Sequence, residues 1–523
     1  MYFLIILFLA FSTLHYSQQV SNWQNYTDMK NVRSIISNGD LIWSASDGGV
    51  FSYNSVDNSY NKFSKVEGLN GTSITAVTVD QYGKIWFGSS NGIIDIYDPQ
   101  TKNFENILAI FNDANKSSKV INELIAIGDT IYVSSDFGIS LINASNYLFI
   151  DTFSKFGSLP SNISVNNVFI SGLIYAGSDM GVVIQKQGAT NLSAPESWNV
   201  YNSLNGLPSD SVSKILFFNN QLIAGTSKGL SSFDGIAWTD FTDQFDNIRI
   251  SDLIVIGDSL FIISDLQNVF KYHNGVLTLI YSSPGREISE IKYSPSQGIL
   301  AATLSGIYRL NDGIYLYPNG PSANLFPDLA VDNNGVLWSA SGTDGTGVGF
   351  YKYNGIDWSN FNINTTPELS SNAYYNLYID GGNTTYLGSW GKGFTIIKDG
   401  TIRNFNAANT GMQGIPIDPN YIVVGGFAKD SKNNIWVLNH GAADRKNLTK
   451  SSNLEQWFSY PVSEIDRYVD ESLNLVIDEY DTKWFAVRRH KAGLFYFNER
   501  QASAPEEISD DVSGYLNEAS GLN

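Results

Sequence analysis

The chain has 523 residues, and 32 Lys+Arg against 51 Asp+Glu give a formal net charge of −19. That balance argues against general nucleic-acid binding, and the length exceeds one ordinary domain, so two are expected. Charged residues make up only 16% of the chain while Gly (46), Tyr (29) and Phe (30) abound, a mixture suited to tight turns and half-buried strands. No segment keeps a 3.6-residue apolar period, so almost no helix is expected. The absence of Cys excludes disulfides, a thiolate nucleophile and Cys-ligated metal.

The chain opens MYFLIILFLAFSTLHYSQQ, which reads as a secretory signal peptide (1–17) cleaved near Ser17/Gln18. Its apolar run, Tyr2–Phe11, is too short to span a bilayer, and no second apolar stretch is long enough to cross one. An exported protein, periplasmic or on the outer-membrane surface, is expected. With no cross-links available, its stability would come from burial in large sheets.

A strand–turn–strand unit then recurs: LIWSASDGGVFSYN from 41, ITAVTVDQYGKIWFGSSNGIIDIYD from 74, IYVSSDFGISLI from 131, LIYAGSDMGVVI from 173. LIAGTSKGLSSFDG from 222, LFIISDLQNVFKYHNG from 260 and ILAATLSGIYRLNDG from 299 follow, and four further copies are anchored at Trp338, Tyr386, Trp436 and Trp484. About eleven copies at a spacing of roughly 40–50 residues are the signature of β-propellers. The second copy parses into four strands: SITAVTVD, KIWFGS, GIIDIYD and NFENIL. Seven copies fit a complete seven-bladed propeller over 18–325, and four begin a second over 326–523. The segment WQNYTD at 23–28 resembles later outer strands such as AWTDFTD and DWSNFN, so it is expected to pair with a late blade and close the ring. The final NEASGLN matches the loop that elsewhere precedes an inner strand. The series is therefore expected to break off mid-repeat, as in a gene fragment lacking about three blades.

In five copies an acid stands six positions ahead of an aromatic: Asp80/Trp86, Asp332/Trp338, Asp380/Tyr386, Asp430/Trp436 and Asp478/Trp484. A catalytic acid is needed once, whereas this pair recurs blade after blade. It is expected to be structural, the carboxylate accepting turn N–H groups while the aromatic wedges between blades. His-Glu-x-x-His, Walker and Gly-x-Ser-x-Gly patterns are absent, and no catalytic residue, cofactor or metal is assigned.

Binding chemistry is sought where the repeat is broken, in four turns of the second series: SGTDGTGVG (341–349), SWGKG (389–393), HGAADRKNLTKSSN (440–453) and RRHKAG (488–493). These turns are expected to open on one face. Trp390, Lys392, His440, Arg445, Lys446, Arg488, Arg489, His490 and Lys491 would then share a basic, aromatic-bearing rim suited to an anionic ligand such as a phosphate or uronate.

The residues SIISNGDLIWSASDGGVFSYNSVDNSYNKFSKVEGLN, NGIIDIYD (91–98) and SVNNVFISGLIYAGSDMGV resemble the N-terminal propeller of PorZ proteins of the type IX secretion system, over about 300 residues. That resemblance implies two seven-bladed propellers and a C-terminal sorting-type β-domain. It also implies a non-catalytic scaffold at the outer surface, in a complex that attaches cargo to anionic lipopolysaccharide, with the basic rim as the lipopolysaccharide candidate. The Asp-x-x-Gly-x-x-Trp copies are also similar to the periplasmic propeller repeats of hybrid two-component sensors, which implies a ligand-sensing ectodomain instead. A polysaccharide-active enzyme is the third class to be separated from these.

Overall fold

The computed structural model describes residues 24–462, 464–465, 471–489, 492–500 and 509–521; the expected signal peptide lies outside them. The chain divides into two compact units, Met1–Pro318 and Asn319–Asn523. Nearly all regular structure is antiparallel strand; α-helix among the described residues is confined to two four-residue turns, Ala109–Asn112 and Ala407–Thr410.

Unit 1 contains seven four-stranded sheets in which each strand pairs with the next in sequence. Their first strands are Val32–Asn38, Ile74–Val79, Ile121–Ile127, Val165–Ser171, Val212–Phe218, Ile250–Ile256 and Ile288–Ser294. Residues from all seven line one cavity of about 540 Å³. The first strands of the seven sheets thus face one lumen, as the inner strands of a propeller do. The second sheet follows the sequence parse, with strands Ile74–Val79, Ile85–Ser89, Ile94–Asp98 and Asn103–Ile107.

The core is shared between neighbouring sheets. Trp86 packs with Ile121, Leu124 and Ile131 of the next sheet, and Trp43 with Phe87 and Tyr97. The first sheet meets the seventh through Val32, Ile35 and Phe51 against Leu300, Ala302 and Ile307. Residues 24–31 differ from expectation: they form no strand, because Ile314–Leu316 already completes the seventh sheet. They cross the junction instead, Met29 entering the shared core and the Lys30 carbonyl accepting the Gly306 N–H at 2.7 Å.

In unit 2 the first strands are Leu329–Val331, Tyr374–Ile379, Ile422–Lys429 and Glu471–Ile477. Four four-stranded groups follow the same order, the second and third joined where Trp390 and Gly391 pair with Val423 and Ile422.

The five acid–aromatic pairs build the turn between first and second strands. One Asp80 oxygen accepts the N–H groups of Tyr82 and Lys84 at 2.9 Å, and the other accepts the Trp86 indole N–H at 2.8 Å. Asp332, Asp430 and Asp478 repeat this, with indole distances of 3.0, 2.9 and 2.8 Å. Thr78 pairs with Trp86 across the hairpin, so Asp80, two residues on, lies on the same face of the sheet. The six-residue spacing is the distance at which a carboxylate caps the turn and reaches the indole. Wedging between sheets is as expected; the indole-to-acid bond adds to it.

Candidate functional site

In eight of the eleven sheets a Ser or Thr at or near the end of the second strand donates its hydroxyl to a carbonyl of the following turn or strand. Examples are Ser46 to Gly49, Ser178 to Gly181, Thr226 to Gly229 and Ser389 to Gly393, at 2.7–2.9 Å. The residue after this strand-end position is equivalent by register in every sheet, whether or not the latch is made, and lies on the face where turns and inter-sheet loops emerge. In unit 1 it is Asp47, Ser90, Asp136, Asp179, Ser227, Asp265 and Leu304; in unit 2 it is Gly342, Trp390, His440 and Arg488. The same position is thus acidic in four sheets of unit 1 and aromatic or basic in three successive sheets of unit 2.

Trp390 and His440 are brought together, ring centroids 5.9 Å apart, and Tyr375 meets Trp390 edge-on at 5.1 Å. His440 Nδ1 accepts the Ser472 N–H at 3.2 Å, which places the ring proton on Nε2 and ties the row to the fourth sheet. There Glu471 pairs with Arg488 in register. Gly391, at φ +102°, has no side chain to hold off the Tyr421 ring, so a second tyrosine lies against the same strand end.

Arg488 and Lys392 are exposed. Arg489 is exposed too, but its guanidinium is taken by Glu471 at 2.7 Å. Arg445 and Lys446 stand exposed on the loop after His440, shaped by the Lys446 N–H bonding Asp444 and by Arg445 in the left-handed region at φ +63°. His490 and Lys491 lie outside the described residues. Trp390, His440 and Arg488 thus occupy one row of equivalent positions, Lys392 stands two residues beyond Trp390, and Arg445 and Lys446 sit on the adjoining loop.

A second constellation, lining the unit 1 cavity, escaped the sequence reading. Each inner strand begins with a β-bulge, and the residue after the bulge is Ser34, Ala76, Glu123, Asn167, Lys214, Asp252 or Glu290. Four of these accept a backbone N–H from the next sheet. Glu123 takes Val168 at 3.0 Å, Asn167 takes Ile215 at 2.7 Å, Asp252 takes Ile291 at 2.9 Å, and Glu290 takes Ile35 at 2.9 Å, joining the seventh sheet to the first. The bulged residues add a second latch: Thr75 and Ser213 donate to the Ile121 and Ile250 carbonyls, and Asn122 and Asn166 to those of Val165 and Val212.

Lys214 has no lone pair to accept with. It bonds Glu123 of a non-adjacent sheet at 2.5 Å and faces Asp252 at 3.7 Å, while Lys292 pairs with Glu290 at 2.8 Å. Burial opposes the Lys214 charge, but Glu123, Asp252 and Glu290 outweigh it and hold its pKa above the ordinary lysine value. Burial pushes the Asp252 carboxyl up against the pull of Lys214; for Glu290 burial is outweighed by Lys292 and Lys214, and its pKa falls. The signal was in the sequence: VRSI, ITAV, INEL, VNNV, VSKI, ISDL and ISEI align as β-branched, polar, variable, aliphatic.

Sheets stacked around a lumen in unit 1, and four-stranded sheets of the same order and turn chemistry in unit 2, define a tandem β-propeller protein. Residues 42–199 match the family model described as the TSS9, PorZ, N-terminal beta-propeller domain, which bears out the resemblance read from the sequence. No curated protein is matched by the sequence. Among solved structures, PorZ of Porphyromonas gingivalis, an essential surface component of its type-IX secretion system, superposes with a TM-score of 0.79 at 19% identity, over 94% of this chain and 68% of that chain. An ancestral GH74 enzyme superposes at 0.64 with 12% identity, over 91% of this chain and 76% of that one. The extracellular domain of a putative hybrid two-component system from B. thetaiotaomicron reaches 0.44 at 15% identity, over 95% and 72%. At these identities the likeness is one of fold.

Proposed function

We propose that the chain is an exported, non-catalytic β-propeller scaffold of the type IX secretion kind, holding an anionic glycan or lipopolysaccharide on the unit 2 rim and working beside the other proteins of the attachment complex. The match of residues 42–199 to the PorZ propeller carries this reading. In it, residues 1–17 are a signal peptide, the seven sheets within 18–325 are the blades of a closed ring, and 326–523 is part of a second propeller. Two features support a scaffold rather than an enzyme. The recurring aspartates spend their lone pairs on turn N–H groups and indoles, and the lumen carboxylates spend theirs on the neighbouring inner strand. On the rim, Trp390 and His440 offer ring surface while Arg488 and Lys392 offer exposed charge, a pairing that suits a sugar bearing an acidic group.

Deletion of the gene tests the role. Cargo held at the cell surface should appear in the medium, and a chain carrying Lys392→Glu and Arg488→Glu should fail to restore attachment although it is exported and folded. Cargo that stays attached after deletion would refute the scaffold assignment.

A further inference from the structure

The repeat is broken at one more pair of positions, and the two breaks meet. Of the five acid–aromatic pairs only Asp380 faces a tyrosine, and the Tyr386 hydroxyl reaches it at 3.4 Å against 2.8–3.0 Å for the four indoles. The residue before the acid is Val79, Val331, Ile379 and Ile477 in the other four copies, but Lys429 before Asp430. The Lys429 ammonium crosses to the preceding sheet and takes the Asp380 oxygen at 2.7 Å, where an indole would otherwise donate. A ring smaller than indole and a lysine stem thus replace the usual filling between these two sheets.

A cleft of about 820 Å³ opens there, between the second and third sheets of unit 2. Ile396, Ile435 and Tyr386 are buried along its floor. Tyr378 also lines the cleft, and burial, reinforced by Asp380, raises its pKa above the ordinary phenol value, so its hydroxyl keeps its proton. Burial, reinforced by Asp380, holds the Tyr386 pKa well above the ordinary phenol value, so its hydroxyl also stays a donor. Thr401, Ser452 and Asn453 add polar groups at the exposed lip.

The charges of this cleft cancel. Lys429 is paired with Asp380, Arg403 with Glu455 at 2.9 Å, and Lys398 adjoins Asp399 in sequence. At Lys429 and Arg403 an anion would have to displace the carboxylate already bound, whereas a neutral polyol would find donors and acceptors of both kinds over an apolar floor. The volume lies in the range of small-ligand sites, roughly 300–1,000 Å³. We propose that this cleft binds a neutral hexose unit of a glycan chain. It is separate from the charged rim: its residues follow the first strands and the third-to-fourth-strand turns, not the latch position that carries Trp390.

The test titrates the full-length chain with maltohexaose, cellohexaose and mannohexaose by isothermal calorimetry. At least one should bind. Tyr378→Phe, which removes a hydroxyl and little volume, should weaken that binding about tenfold, and Ser452→Trp, placing an indole over the lip from an exposed turn, should abolish it. Trp390→Ala should leave it unchanged. Melting curves matching the wild type establish that each variant is folded, and Ser452→Trp serves where Tyr378→Phe melts early. Failure of all three oligosaccharides to bind, or loss of binding with Trp390→Ala and not with Ser452→Trp, would overturn the proposal, and neither result bears on lipopolysaccharide retention by the rim.

Discussion

Replacing Lys214 by Met keeps the aliphatic stem and removes the one ammonium that spans the unit 1 lumen. Glu123 then loses its 2.5 Å partner and Asp252 its 3.7 Å partner, while Lys292 still serves Glu290. Removing one side of a buried ion pair costs about 3–5 kcal/mol, because the remaining charge is left desolvated. The Lys214 side chain keeps 16% of its exposure and Glu123 13%, and lumen water screens part of the loss, so about 2–3 kcal/mol is expected. Because Glu123 also holds the Val168 N–H, loosening should spread to the fourth inner strand. Urea unfolding of the full chain should show the lowered midpoint, and amide exchange should quicken in peptides covering 165–171 and 250–256. Adding Glu123→Gln to Lys214→Met should recover part of the loss, since the stranded charge is then gone. A change below about 0.5 kcal/mol, with exchange unaltered in both strands, would refute the claim that this lysine ties non-adjacent sheets together.

Two further outcomes follow from the turn chemistry. Trp86→Phe removes the indole donor to the buried Asp80 carboxylate and should cost about 1.5–3 kcal/mol in urea unfolding, in the range for hydrogen bonds to charged groups; a loss under about 0.5 kcal/mol would leave the indole-to-acid bond without energetic weight. In unit 2, the Trp484 indole and the turn N–H groups hold Asp478 below its ordinary pKa, and for Asp332 burial is outweighed by Trp338, Val336 and Asn334 to the same end. A carboxyl depressed on folding contributes stability that is fully present above its unfolded pKa, near 3.9, and is lost as pH falls through the folded value. The melting temperature should therefore fall below about pH 4, less steeply in Asp478→Asn; an unchanged acid slope in that variant would contradict the assignment.

The fold was legible because its building device is local. An acid and an aromatic six residues apart belong to one hairpin, and the aromatic packs on the next sheet, so period and architecture are written together. The rim was legible for a related reason: Trp390, His440 and Arg488 occupy the same register position at the end of the second strand in successive copies, so breaks in the repeat fall on one face. Arg489 was not separable from Arg488 in the sequence, since its ion pair with Glu471 depends on the hairpin register. The lumen belt was hidden among apolar strands. Glu123, Lys214 and Asp252 look like isolated polar residues until the bulge aligns them, and Glu123 meets Lys214 only when sheets 91 residues apart face one lumen. The segment at 23–28 misled because its composition suits an outer strand, whereas the seventh sheet already had its fourth strand in Ile314–Leu316.

The central claim, an anionic glycan held on the unit 2 rim, is tested most directly by binding purified full-length chain to immobilised anionic lipopolysaccharide. Wild type should be retained and released by salt, and Lys392→Glu with Arg488→Glu should weaken retention about tenfold or more, the equivalent of about 1.4 kcal/mol. Retention equal to wild type in that variant, or none by the wild type, would contradict it.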